Sequence, residues 1–312
     1  MSTHIAIDIG GTQMRAAAFP PEGYQPIKVQ RVPTQTPGAF PQERLIQLIE
    51  TVCPPDKKIT SIGVAAPGPL NPKTGVIYTS PNIAAFRDFP IVGYLQEKFH
   101  VPVFLDNDAN LAAVGEWQIG AGQGHDHLIY LTISTGIGSG IISDGHLLQG
   151  EQGMAAELGH VTVMPDGPLC GCGHPGHLEA IASGTNIARW IKEQLNQGAE
   201  SSLQNTEKIT AKTIAKAANH GDQLAGAAFE QAGSYIGLAL ASFLHIFNPS
   251  MVIFGGGVSK SGHLLLDPVK RAVKKHVINP KYTDNLTITT ADLGDDAGMI
   301  GALILARTAT TK

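Results

Sequence analysis

Short apolar runs alternate along the chain with segments whose apolar residues recur every three or four positions, a pattern that predicts an α/β protein. Residues 5–8 read as a strand ending in an acid, Asp8, followed by a tight turn at Gly10, Gly11 and Thr12. Residues 13–19 return as a second strand, so the unit is a hairpin rather than a strand-to-helix loop. A third strand is expected near 27–32. Leu45, Ile46, Leu48 and Ile49 give residues 43–52 a helical spacing. Residues 61–66 read as a buried strand and 92–99 as a helix. Residues 101–105 form a strand running into Asp106, Asn107 and Asp108, and a helix with a small-residue face follows at 110–119.

Beyond 120–124 the pattern restarts, with a strand at 128–133, a glycine turn at 134–140 and a returning strand at 141–142. This echo of the first hairpin is the one internal repeat. Helices are expected at 184–195, 210–220, 222–247 and 268–276, strands at 251–254 and 286–290, and a closing helix at 297–307. The division is a smaller N-terminal α/β domain, residues 1–120, and a larger C-terminal one, residues 121–296. The terminal helix within 297–312 is free to return to the first.

Composition narrows the class. A chain of 312 residues is long enough for two such domains. The net charge of −4 gives no basic footprint for nucleic acid. Three cysteines, two of them one residue apart, make no disulfide framework, and reduced thiols point to the cytoplasm. Cys53 has no expected role. No signal segment opens the chain, and no apolar run approaches the roughly eighteen residues of a membrane span. The 36 glycines fall in short motifs, as expected where backbone must approach a ligand at several places.

The densest chemistry lies at 157–179. Cys170 and Cys172 sit on a glycine-rich knuckle with His160 upstream and His174 and His177 downstream, a set suited to a closed, structural zinc site. A zinc ion on one ring nitrogen of His160 would leave the other N–H as a rigid donor. Glu157 and Glu179 bracket the knuckle, and two carboxylates around a fixed donor suit a polyhydroxylated ligand. The glycine turns, with Thr12 and Thr135, offer backbone amides to phosphate oxygens, and as a pair they suggest a nucleotide held between two domains. Asp8 is placed either to hold the water shell of Mg²⁺ or to cap the turn amides. Asp106 or Asp108 could take a hydroxyl proton while Asn107 anchors a neighbouring hydroxyl, or the acids could cap the next helix. There is no GxxxxGK[ST]. The GxGxxG of Gly171, Gly173 and Gly176 lies inside the knuckle with no strand before it and is not a dinucleotide motif.

DIGGT at 8–12, DNDAN at 106–110, STGIGSG at 134–140, ELGH at 157–160, CGCGHPGHLE at 170–179 and FGGG at 254–257 occur in the order found in the ROK family of bacterial sugar kinases and repressors, which the whole chain resembles. The resemblance implies an α/β, actin-like, hexokinase-type ATPase fold (ribonuclease H-like), two domains closing on sugar and ATP. It implies Asp108 as catalytic base and Gly68, Asn107, Asp108, Glu157, His160 and Glu179 as sugar contacts. It implies phosphate and nucleotide contacts at Asp8, Gly10, Gly11, Thr12, Gln13, Thr135, Gly136, Gly138, Gly255, Gly256 and Gly257. His160, Cys170, Cys172 and His177 fall on the zinc positions, Asp8 would hold Mg²⁺ through water, and relatives imply a homodimer or homotetramer. Three departures stand out: His177 replaces a usual third cysteine, Gln13 a common lysine and Asp106 a common glutamate.

Two functions of different class follow. The first is an ATP-dependent kinase acting on the 6-hydroxyl of a hexose, foremost glucose, with mannose, fructose, N-acetylmannosamine and N-acetylglucosamine as alternative acceptors. The second is a sugar-responsive transcriptional regulator. Only seven residues precede Asp8, too few for a helix-turn-helix, and the charge is acidic, so the kinase is expected.

Overall fold

The hairpin around Gly10 forms in the computed structural model, which describes residues 2–55, 58–79 and 83–308. Strands β1 (Ser2–Ile9) and β2 (Gln13–Phe19) pair antiparallel and bury Ile5, Ile7, Ile9 and Met14, and β3 (Lys28–Pro33) adds an exposed edge. Helix α1 (Pro41–Val52) starts on a proline and covers this layer with Leu45, Leu48 and Ile49. Strand β4 (Lys58–Ala66) runs parallel to β1, and the small hairpin of β5 (Leu70–Asn71) and β6 (Val76–Ile77) leaves its end. Helix α2 (Ile91–Phe99) leads to β7 (Val103–Asn107), which completes a sheet of order β3-β2-β1-β4-β7, and α3 (Asp108–Ile119) leaves it.

The second half repeats this plan. Strands β8 (Leu128–Ile133), β9 (Ile137–Ser143) and β10 (His146–Leu147) form an antiparallel meander. Helices α4 (Leu178–Ala182), α5 (Gly184–Asn196), α6 (Ala211–Asn219) and α7 (Gln223–Phe247) follow. Strand β11 (Met251–Gly255), helices α8 (Gly256–Ser259), α9 (His263–His276) and α10 (Lys281–Asp284), and strand β12 (Thr287–Thr290) complete a sheet of order β10-β9-β8-β11-β12. In each sheet a three-stranded meander continues into two parallel strands, so the repeat seen in one hairpin extends to the whole sheet. Helix α11 (Ala297–Thr308) returns to the first sheet and is buried nearly all round, between β1, β4 and α3. Of the expected 297–312 segment, 309–312 lie outside the described residues. Among the described residues, no helix is long and apolar enough to cross a membrane.

Several element ends differ from expectation. Helix α3 begins at Asp108, because Asn107 caps it by accepting the N–H groups of Ala109 and Asn110. Helix α9 begins at His263 rather than 268, with Pro268 inside it. The second glycine turn is shorter than 134–140, since Gly138 and Gly140 belong to β9. Those glycines make room for α3, where β-carbons on them would fall 3.0 Å from Ala109 Cβ and 2.6 Å from Ala113 Cβ.

One buried carboxylate joins the two chain crossings between the sheets. Glu116, fully buried near the end of α3, accepts Ala121 N at 3.0 Å just after the first crossing. It also accepts Asp292 N at 3.1 Å and Leu293 N at 2.7 Å, just before the second. Three backbone donors satisfy the oxygens of a side chain that has no access to water.

Candidate active site

Asp8, Gly68, Asn107 and Gly255 lie at or just beyond the carboxyl ends of β1, β4, β7 and β11, and Glu157 of the second half stands beside Gly68 of the first. Asp108 opens α3 half-buried, with Oδ1 accepting Ala109 N at 2.8 Å. Burial, with repulsion from the Asp8 and Glu157 carboxylates, pushes its carboxyl up to about 6. Behind it, the fully buried Asp106 accepts from Asn107 N, Asn110 Nδ2 and Gln149 Nε2. Asp106 is therefore a support for the Asn107 backbone, with its own proton affinity raised by burial.

Gly68 sits against this group. A β-carbon there would lie 3.2 Å from Asn107 Nδ2 and 3.7 Å from Glu157 Oε1, which places the first sheet's loop beside the second half's Glu157. Burial raises Glu157, His160 counters this, and Glu179 adds to it, so the three stand within electrostatic reach of one another. Glu179 spans two structures. Its Oε2 accepts Ile137 N at 2.9 Å and its Oε1 lies 3.4 Å from Cys170 Sγ, so one carboxylate links the second glycine turn to the knuckle. Gly136 packs on it so tightly that a β-carbon would fall 2.4 Å from Oε2.

The two glycine turns are partly self-satisfied. Gly10 N bonds Gln13 O at 2.9 Å, and Thr34 braces the turn through Gly10 O and Thr12 O. The Gly10 amide is thus spent inside the turn that also holds Gly11. In the second turn, Ser134 N bonds Gly136 O across Thr135, and Gly184 N takes Ser134 O. Gly255 ends β11, and Gly256 and Gly257 open α8. Gly256 has φ of 81°, and a β-carbon would lie 2.4 Å from Ile133 O, so glycine is required for this loop to touch the second turn.

Asp8 does not cap the turn amides. Its Oδ2 takes Arg15 Nε at 3.2 Å and the second guanidinium nitrogen at 3.0 Å. Arg15 reaches on to Asp296 Oδ1 at 3.0 Å, tying β2 to the turn before α11. Burial raises Asp8, and the Arg15 guanidinium opposes that rise. Sequence reasoning missed Arg15, although the hairpin register alone puts it opposite Asp8.

The knuckle holds one cluster of ligating atoms. One donor atom each from His160, Cys170, Cys172 and His177 all lie within 4.8 Å of one another. Cys170 Sγ lies 3.8 Å from His160 Nδ1, and Cys172 Sγ lies 3.2 Å from His177 Nδ1. A tetrahedron with metal–ligand bonds of about 2.0–2.3 Å has edges of roughly 3.3–3.8 Å, so the donor set and its spacing fit zinc. His174 is exposed and outside this cluster, its backbone oxygen taking Cys170 N. Burial and the neighbouring imidazoles hold His177 below its usual value, in the neutral form a metal needs.

Comparison with known proteins gives a family match over residues 4–309, to the ROK family. A glucokinase of Thermotoga maritima is 35% identical over 304 residues, covering 96% of this chain and 95% of that one. The crystal structure of a ROK family glucokinase from Streptomyces griseus, in complex with glucose and AMPPNP, superposes with a TM-score of 0.83 at 35% identity, over 98% of this chain and 99% of that one. A xylose repressor of Caldicellulosiruptor bescii is 33% identical over 252 residues, 80% of this chain and 63% of the repressor. The two similar sheets with a cleft between them are the expected actin-like, hexokinase-type ATPase fold.

Proposed function

The chain belongs to the ROK family, and from that premise we propose that it transfers the γ-phosphoryl group of ATP to the 6-hydroxyl of glucose, with Asp108 as general base. It is an ATP-dependent sugar kinase acting on a hexose. The observation that carries the finer reading is Asp108 itself: a carboxylate raised to about 6, at a helix start, beside Asn107, Glu157 and Asp8. A base poised near the working pH takes a hydroxyl proton most effectively.

In this reading Gly68, Asn107, Glu157, His160 and Glu179 hold the sugar. His160 Nδ1 lies 3.8 Å from Cys170 Sγ, so a zinc ion held there would leave the Nε2–H of His160 as a donor for a ring hydroxyl. The turns at 10–13 and 134–136, strand residue Gly138, and 255–257 hold the nucleotide, the two domains meeting over it. Asp8 suits hydrated Mg²⁺, because both Arg15 bonds go to Oδ2 and, among the described residues, its other oxygen accepts no side-chain bond, which leaves it for the metal's water. Bound there, Mg²⁺ would neutralise charge between the β- and γ-phosphates. Phosphoryl transfer asks the protein mainly for positioning and electrostatics, which these carboxylates and backbone amides supply.

Two measurements test this. A hexose panel with Mg-ATP, read as kcat/KM, is expected to place glucose first, because a site built for hydroxyls leaves its buried partners unpaired with other shapes. An N-acetylated hexosamine above glucose would overturn the substrate and leave the kinase intact. The pH profile is expected to show an acid limb near pH 6, where the Asp108 carboxyl is raised to about 6, with kcat/KM falling roughly tenfold per unit below it as Asp108 takes a proton. A flat profile between pH 5 and 7 would remove Asp108 as the base.

A further inference from the structure

Ser139, on β9 and only 5% exposed, makes two hydrogen bonds to one short stretch of backbone. Its hydroxyl donates to Ala156 O and accepts Leu158 N at 3.0 Å. Leu158 N also reaches Ala156 O at 2.9 Å. Residues 156–158 are therefore an inverse γ-turn centred on Glu157, whose φ of −77° and ψ of 57° match that geometry. Ala156 enters the turn at φ 68°, a left-handed backbone that alanine adopts at a cost and keeps only when its surroundings hold it. The next turn is seated on the same strand, because a β-carbon on Gly159 would fall 2.1 Å from Ile137 O. Ile137 in turn donates its N–H to Glu179. One strand thus carries the second phosphate turn at its start and the support of Glu157 two residues further on.

We propose that Ser139 is a positioning residue for the sugar. Its hydroxyl closes on both peptide groups flanking Glu157 and fixes the carboxylate toward Gly68 and Asn107. A serine serving packing alone would need one partner for its hydroxyl; this one binds the two atoms whose separation sets the direction of Glu157. The inference rests on the reading of Glu157 as a sugar acceptor.

Glucose titration calorimetry and steady-state kinetics on four variants provide the test. Ser139→Ala is expected to raise the Kd and KM for glucose about tenfold, the effect of losing one buried hydroxyl that serves two partners, with the KM for ATP unchanged. Ala156→Gly in the Ser139→Ala background is expected to restore most of that loss, since glycine holds the left-handed backbone without strain. Glu157→Gln is the reference, and Ala156→Gly alone the control. If Glu157→Gln leaves glucose binding intact, the sugar-site reading fails and this inference with it. If Glu157→Gln weakens binding but Ser139→Ala lowers only the melting temperature, or if Ala156→Gly restores nothing, the clamp is overturned while the sugar site stands.

Discussion

Asp108→Asn is expected to lower kcat by about 10²–10⁴ and to leave glucose binding in place, because the amide keeps the shape and cannot accept the hydroxyl proton. The acid limb near pH 6 should vanish with it. Stability provides an independent sign. The unfolded chain ionises Asp108 near 3.8, whereas the folded site raises it to about 6, so the folded state loses stability as pH rises between those values and stays lower above them. The asparagine removes that penalty, so the melting temperature at neutral pH should rise, and the gain should disappear below about pH 4. A residue important only as a helix cap would behave oppositely, and here the cap is Asn107. Retention of more than about a tenth of wild-type kcat would assign the base elsewhere.

The fold was legible where local physics decides. The hairpin at 9–14, the strand at 251–255 and the amphipathic α1 follow from apolar spacing and turn residues. The signal failed where a neighbour far along the chain decides. Gly138 and Gly140 look like turn residues, yet they are strand positions kept small by Ala109 and Ala113 on a helix some thirty residues earlier. Similarly, nothing near Glu116 announces that its partners are the amides of Asp292 and Leu293.

The site shows the same division. Residue type and spacing singled out the knuckle with Glu157 and Glu179, whereas Asp108 as base came from the family resemblance, since spacing alone left a helix cap equally open. Neither gave an account of how those side chains are held. Asp8 is expected either to hold the water shell of Mg²⁺ or to cap the turn amides; the cap does not form, because Arg15 holds its Oδ2. That pairing was recoverable from register, because a hairpin joining Ile9 to Met14 must set Asp8 against Arg15. Ser139 was not recoverable, as its two partners lie seventeen and nineteen residues on, across a loop with no periodic signal.

Metal analysis of the knuckle is expected to find about one zinc per chain, with His177→Ala losing it and His174→Ala keeping it. Two thiolates and two neutral imidazoles balance Zn²⁺ to zero net charge, and the Cys170–His160 and Cys172–His177 donor pairs, at 3.8 and 3.2 Å, are already close to tetrahedral edges. Without a cation, burial foremost, with the nearby Glu179 carboxylate adding to it, pushes the Cys170 thiol up to about 11, so at neutral pH the sulfur keeps its proton unless a metal displaces it. His174 lies outside the four-atom cluster, which is why its loss should leave the metal in place. His177→Cys should keep zinc and activity, since a thiolate serves the same vertex. Metal loss is expected to raise the glucose KM more than it lowers kcat, because His160 would no longer be fixed through Nδ1 and its second N–H would lose its direction. The readout is zinc content by elemental analysis beside the glucose KM for each variant. Full zinc in His177→Ala would move the fourth ligand elsewhere, and a zinc-free wild type with an unchanged KM would remove the metal from sugar recognition.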